Sequence, residues 1–149
     1  MNFQLAQANI AKMKFDLDHP QMTEFVNNIE RINQLAEDSD GFVWRFQTTE
    51  GNALSEQAYD DERILFNMSV WASVEHLKKY VYMTQHVDFI KNNGRWFNKM
   101  ESQHLVLWWV RRGHIPTVDE AKTRLELIRR KGPGEQAFSI ANPYPAPLM

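Results

Sequence analysis

The stretch HLVLWWVRR at positions 104–112 limits the folds open to this chain more than any other. It is short, branched and aromatic, which suits a β-strand. Side chains alternate across a strand, and here both sets are apolar: Leu105, Leu107 and Trp109 on one face, Val106, Trp108 and Val110 on the other. Such a strand must be covered on both sides. A second strand, ILFNMSVW at 64–71, is asymmetric. Ile64, Phe66, Met68 and Val70 make one wholly apolar face. Leu65, Asn67, Ser69 and Trp71 make another that is half polar yet carries a large aromatic, a mixture that points to a ligand cavity.

The rest of the chain supplies the covering elements. FQLAQANI (3–10) alternates as a first strand. Asp18 is a candidate N-cap with Pro20 in the first turn, and Met22, Phe25, Val26, Ile29 and Ile32 recur at helical spacing to about Glu37. GFVWRFQ (41–47) is a strand expected to place Phe42, Trp44 and Phe46 together and Val43, Arg45 and Gln47 opposite. Residues 48–62 form a long polar loop. Ser73 caps a helix whose buried stripe is Val74, Leu77, Tyr80 and Val81, and TQHVDFIKNNG is a short helical continuation ended by Asn93-Gly94. Thr117 and Glu120 form a capping box. Val118, Ala121, Leu125 and Ile128 are the buried stripe of the last helix, which Gly132-Pro133 stops.

The order β-α-β-β-α-β-α predicts an α+β domain over residues 1–149: a ferredoxin-like βαββαβ with an additional C-terminal helix and an extended Pro-rich tail over 136–149. In that arrangement two helices cover one sheet face and the other is bare. A bare face rich in aromatics marks an interface, so the expectation is a homodimer with two sheets back to back. Phe66, Met68 and Val70 are expected to pack under the helices, leaving Asn67, Ser69 and Trp71 pointing into the barrel.

Composition excludes several functions. A net charge of −2 gives no electrostatic footprint for nucleic acid. The absence of cysteine removes disulfides and thiol chemistry and fits a cytoplasmic protein. No window approaches a membrane span and no signal peptide is visible, so no membrane is expected. The 6 glycines are too scattered for a phosphate cradle, and no histidine pair has the spacing of a helical metal site, so no metal is expected.

The candidate site residues are amides, aromatics and one imidazole. Asn67 and Ser69 suit hydrogen bonding to a ligand oxygen, or a structural network at the dimer interface. Asn9 ends the first strand with Gln7 on the same face. His86 is the acid–base candidate, with a helix-cap or surface position as the alternative. His76 is expected at the surface. Arg45 suits a ligand carboxylate, or a pair with Asp60, Asp61 or Glu62. Trp44, Trp71 and Trp108 would wall a flat apolar ligand.

The run GFVWRFQ, then DDERILFNMSVW with SVEHLKKYVY, then HLVLWWV with PTV, resembles the family known as domain of unknown function 3291, from Leu5 to Pro145. By similarity that family falls in the dimeric α/β-barrel superfamily, which includes cofactor-free antibiotic-biosynthesis monooxygenases, haem-degrading monooxygenases, muconolactone-type isomerases and stress-responsive barrels. The resemblance implies a cofactor-independent monooxygenase acting on a flat aromatic or polyketide-type molecule. Asn67, Ser69 and Asn9 would hold its oxygens and His86 would assist proton removal. The alternatives are a non-catalytic binding or sensing protein for a hydrophobic molecule or haem, and an isomerase or lyase using the same pocket. The haem-degrading pattern of Asn, Trp and His matches Asn9, Trp71 and His86 by element.

Overall fold

A computed structural model of the chain describes residues 2–47, 61, 63–83, 93–100 and 103–148. Of the sequence expectations, the loop over 48–62 (Asp61 apart) and the helical continuation that carries His86 lie outside these residues.

The centre of the fold is β1, Phe3–Met13. It pairs antiparallel with β3, Ile64–Trp71, on one side, and with β5, Leu105–Arg111, on the other. A two-residue strand β4, Phe97–Asn98, extends that second side opposite Lys12 and Met13. The strand β2, Phe42–Arg45, adds to the free edge of β3. The neighbour order is therefore β2-β3-β1-β5, all antiparallel. The sheet curls into a half-barrel.

Helices cover both faces. One face carries Leu5, Trp71 and Leu107, and it packs against α1, Thr23–Glu37, and α2, Val74–Met83. The other carries Ala6, Ala8, Met68, Val70, Val106 and Trp108, and it packs against α4, Val118–Lys131. The small residues Ala6 and Ala8 let α4 approach β1 closely. Neither face is bare across β1 and β5. The expectation that the two helices cover Phe66, Met68 and Val70 is reversed: α1 and α2 lie over the face of Asn67, Ser69 and Trp71, and Phe66, Met68 and Val70 share the core beneath α4. Further along this face, Trp44, Phe46 and Ile64 are only partly buried.

Local chemistry sets the element ends. Pro20–Met22 form a separate 3₁₀ turn, capped by His19 Nδ1 accepting from the Gln21 amide at 3.0 Å, so the cap is His19 rather than Asp18. Gly41, with φ +82°, turns α1 into β2. Ser73 does cap α2: its Oγ accepts from the His76 amide and lies 2.7 Å from His76 Nδ1. That contact leaves His76 half-buried where the surface was expected. Asn93 and Gly94 open α3, Asn93–Trp96. Behind it Trp96 and Phe97 bury against Met13, Met22 and Phe25.

Two sequence expectations change at the edges. A β-bulge between Phe42 and Trp44 places Phe42 opposite Trp71 but Trp44 opposite Val70. One extra residue inverts the alternation, so Phe42 stacks edge-on against Trp71 with ring centroids 5.5 Å apart, while Trp44 and Phe46 lie on the α4 face. In the capping box, Thr117 Oγ1 accepts from the Glu120 amide at 3.1 Å as expected. The Glu120 carboxylate reaches back to the Thr117 backbone amide, but it is shared. It also accepts from Trp108 Nε1 and contacts His114 Nε2, each at 2.8 Å. The tail is extended but docked: Phe138 exchanges both backbone hydrogen bonds with Leu107 at the outer edge of β5, with its ring fully buried. No helix among the described residues is long and apolar enough to cross a membrane.

Candidate functional site

On the α1–α2 side the curled sheet and the helices enclose a cavity of about 400 Å³. That volume lies in the range of small-molecule sites. Helix α1 contributes Phe25, Ile29, Ile32 and Asn33 to its wall, and α2 contributes Leu77, Tyr80 and Val81. Leu65, Phe97 and Leu105 continue the apolar lining, and Ile140 reaches it from the tail.

Its polar part comes from four side chains that the β1–β3 register brings side by side. Gln7 lies opposite Ser69, and Asn9 lies opposite Asn67. Gln7 Nε2 donates to Ser69 Oγ at 2.7 Å and to Asn67 Oδ1 at 2.9 Å. Asn9 Nδ2 donates to Gln7 Oε1 at 3.0 Å and lies 3.4 Å from Asn67 Oδ1. Trp71 Nε1 donates to Ser69 Oγ at 2.9 Å from behind. Gln7 and Ser69 are buried, Asn9 is half-buried and Asn67 is exposed, so the network runs from the core to the cavity. Buried amides need partners, and in this cluster both ends of the Gln7 amide find them.

The aromatic backing is equally fixed. Trp71 stacks on Tyr80 with ring centroids 5.0 Å apart and 28° between planes. The Tyr80 hydroxyl donates to the Ile32 carbonyl at 3.2 Å, joining α2 to α1. Burial pushes the Tyr80 phenol well above its ordinary pKa, so it stays neutral. With an exposure of 1%, Trp71 acts by holding Ser69 in place rather than by presenting a face to a ligand.

Arg45 lines the cavity because it pairs with Ser69 in register. Its Nε lies 3.1 Å from Glu37 Oε1 at the end of α1, an ion pair with a helix carboxylate; Asp60 and Glu62 lie outside the described residues.

Of the residues singled out from sequence, the fold thus unites Asn9, Asn67, Ser69, Trp71 and Arg45 at one cavity. It separates Trp44 and Trp108, which lie on the opposite sheet face in contact with the α4 core. The bulge displaces Trp44, and simple alternation along β5 displaces Trp108. His86 lies outside the described residues. The residue underrated by sequence is Gln7, the hub of the network; its place two residues before Asn9, on the same strand face, was its signal. The α1 wall had no signal of its own, because its apolar positions read as ordinary helix core. His104, at the entry to β5, also lines the cavity.

The family model for domain of unknown function DUF3291 matches residues 4–149. The chain belongs to the DUF3291 family. No curated protein matches it. Among solved structures, the chain is similar to NE2512, a protein of unknown function from Nitrosomonas europaea, with a TM-score of 0.49 and 10% identity over 77% of this chain and 94% of that one. It is also similar to PA3566 from Pseudomonas aeruginosa, with a TM-score of 0.49 and 9% identity over 76% of this chain and 98% of that one.

The arrangement in this DUF3291 protein suits a neutral polar edge of a small molecule, with apolar walls to cover its body.

Proposed function

We propose that this DUF3291 protein binds a flat, uncharged and mostly apolar small molecule between its sheet and the helices α1 and α2. One observation carries this reading: a pre-organised amide and hydroxyl network lines one side of a cavity whose other walls are mostly apolar. A few fixed polar groups in an apolar cavity orient a ligand, and the walls supply the affinity. The order β2-β3-β1-β5 supports the ferredoxin-like βαββαβ reading, with α4 as the added helix. A homodimer of this protein would form around α4 and the half-buried patch of Trp44, Phe46 and Ile64, not through two bare sheets.

The test is native mass spectrometry of the purified protein, followed by tryptophan-fluorescence titration with bicyclic aromatic compounds. A retained adduct or saturable quenching is expected, and Ile29→Trp, which fills the cavity from α1, should abolish it while leaving the melting temperature close to that of the parent. Saturable binding that survives this substitution would place the ligand elsewhere.

A second reading adds chemistry to the same cavity. His104 lines it and offers an imidazole as a general base. Loss of a proton from a phenol- or quinol-like ligand to such a base would give an anion able to reduce dioxygen directly, the cofactor-independent monooxygenase reaction. Turnover that is equal with and without oxygen would remove this reading and leave the binding one standing.

A further inference from the structure

Counting hydrogen bonds in the network fixes what a ligand must bring to it. The Asn9 amide spends its nitrogen on Gln7 Oε1 and Asn67 Oδ1, which leaves Asn9 Oδ1 with no partner among the described residues. Asn67 spends its oxygen on Gln7 and Asn9, which leaves Asn67 Nδ2 equally unpartnered. The two residues face each other directly across β1 and β3. The network thus presents one acceptor and one donor to the cavity, from adjacent positions.

This result does not depend on which way the amides are turned. Suppose all three turn over together. The Ser69 hydroxyl then donates to Gln7 Oε1, Asn67 Nδ2 donates to the same oxygen, and Gln7 Nε2 donates to Asn9 Oδ1. The free groups become Asn9 Nδ2 and Asn67 Oδ1, which is again one donor and one acceptor. Trp71 Nε1 has only a donor role, and Ser69 Oγ accepts from it in both cases. An amide has equal donor and acceptor faces, so a cooperative chain of them conserves the complement at its open end.

We infer that the cavity selects a ligand carrying a neighbouring carbonyl and N–H on a flat apolar body: a lactam, a cyclic imide or an N–H pyridone. This inference rests on the proposed binding function and names its ligand class. A carboxylate offers only acceptors and would leave the network's own acceptor facing negative charge. Arg45 does not offset that charge, because it is already paired with Glu37. A lactone or ketone fills only the donor. A cis-amide edge satisfies both groups, and in a closed site each unsatisfied group weakens binding.

The test compares four ligands of nearly equal shape on the intact protein by calorimetry or fluorescence: 2-quinolone, its N-methyl derivative, coumarin and naphthalene. The expected order places 2-quinolone about tenfold or more ahead of coumarin and of N-methyl-2-quinolone, a difference set by one hydrogen-bonding group. In Asn67→Leu that preference should collapse while naphthalene binding is kept or improved. The wild-type comparison stands on its own if the variant folds poorly. Equal binding of all four would overturn the donor–acceptor inference and leave the binding function intact. Failure of all four, naphthalene included, would overturn both.

Discussion

Trp108 donates its indole N–H to Glu120 Oε2 across 2.8 Å, joining the middle of β5 to the first turn of α4. This bond explains why the sheet face opposite the cavity is closed by the chain itself. The indole is fully buried, yet its polar edge finds a carboxylate that also meets His114. Trp108 is therefore a structural anchor and takes no part in the cavity. Trp108→Phe keeps most of the ring volume but removes the donor, and should cost about 1–3 kcal/mol. Urea denaturation measures the cost directly, and ligand affinity should not change.

The same carboxylate gives the protein a pH-dependent component of stability. Burial raises the Glu120 pKa, but the hydrogen bonds from His114 and Trp108, the His114 charge and the hydrogen bond from the Thr117 backbone amide outweigh it, so the pKa lies below its ordinary value. A folded pKa lower than the unfolded one means that the stabilisation is present above the ordinary carboxylate pKa and lost as pH falls through the folded value. Melting temperatures followed downward from pH 6 should fall less steeply in Glu120→Gln than in the parent. Parallel curves would show that Glu120 contributes nothing to acid sensitivity.

Gln7 and Asn67 should separate stability from binding. Gln7 is the buried hub, bonded to Ser69, Asn67 and Asn9. Gln7→Ala strands those partners and opens space in the sheet, and should cost about 2–4 kcal/mol. Asn67 is exposed and forms the open end of the network, so Asn67→Ala should change stability by about 0.5 kcal/mol or less while weakening ligand affinity. A paired measurement of chemical denaturation and ligand titration distinguishes the two.

Phe138 anchors the tail. Its ring is fully buried against Trp109 and Tyr144, with centroid separations of 6.4 and 5.8 Å. Phe138→Ala should cost about 3–5 kcal/mol. Hydrogen exchange should then speed up at the Leu107 amide, whose acceptor is the Phe138 carbonyl at 2.8 Å. An unchanged exchange rate would mean that the tail stays docked without the ring.

Gly41 is confined by conformation and by space. Its φ is +82°, and a Cβ there would collide with the His76 ring. Gly41→Ala should destabilise by about 1–3 kcal/mol. Because Gly41 supplies the carbonyl that accepts from the Ala72 amide at 2.7 Å, the loss should appear first as faster exchange at Ala72, where β3 meets α2.

The sequence by itself determined the elements and most of their faces. Alternation in β3 and β5 and the 3.6-residue stripes of α1, α2 and α4 follow from side-chain geometry local to each segment, and the structure keeps them. The same alternation put Asn67, Ser69 and Trp71 on one face, so the polar half of the site was legible. Tertiary structure decided what lies across from each face. Nothing local to residues 118–131 says that α4 covers the side of β5 carrying Trp108, or that the Glu120 carboxylate, beyond its own cap, also takes that indole N–H. The bulge at Phe42–Trp44 is a property of pairing with β3, and it alone moved Trp44 away from Phe42. Gln7 reads in isolation as one polar residue in a strand. It becomes the hub only when the β1–β3 register sets it opposite Ser69, because a hydrogen-bond network requires distances that a linear pattern does not contain.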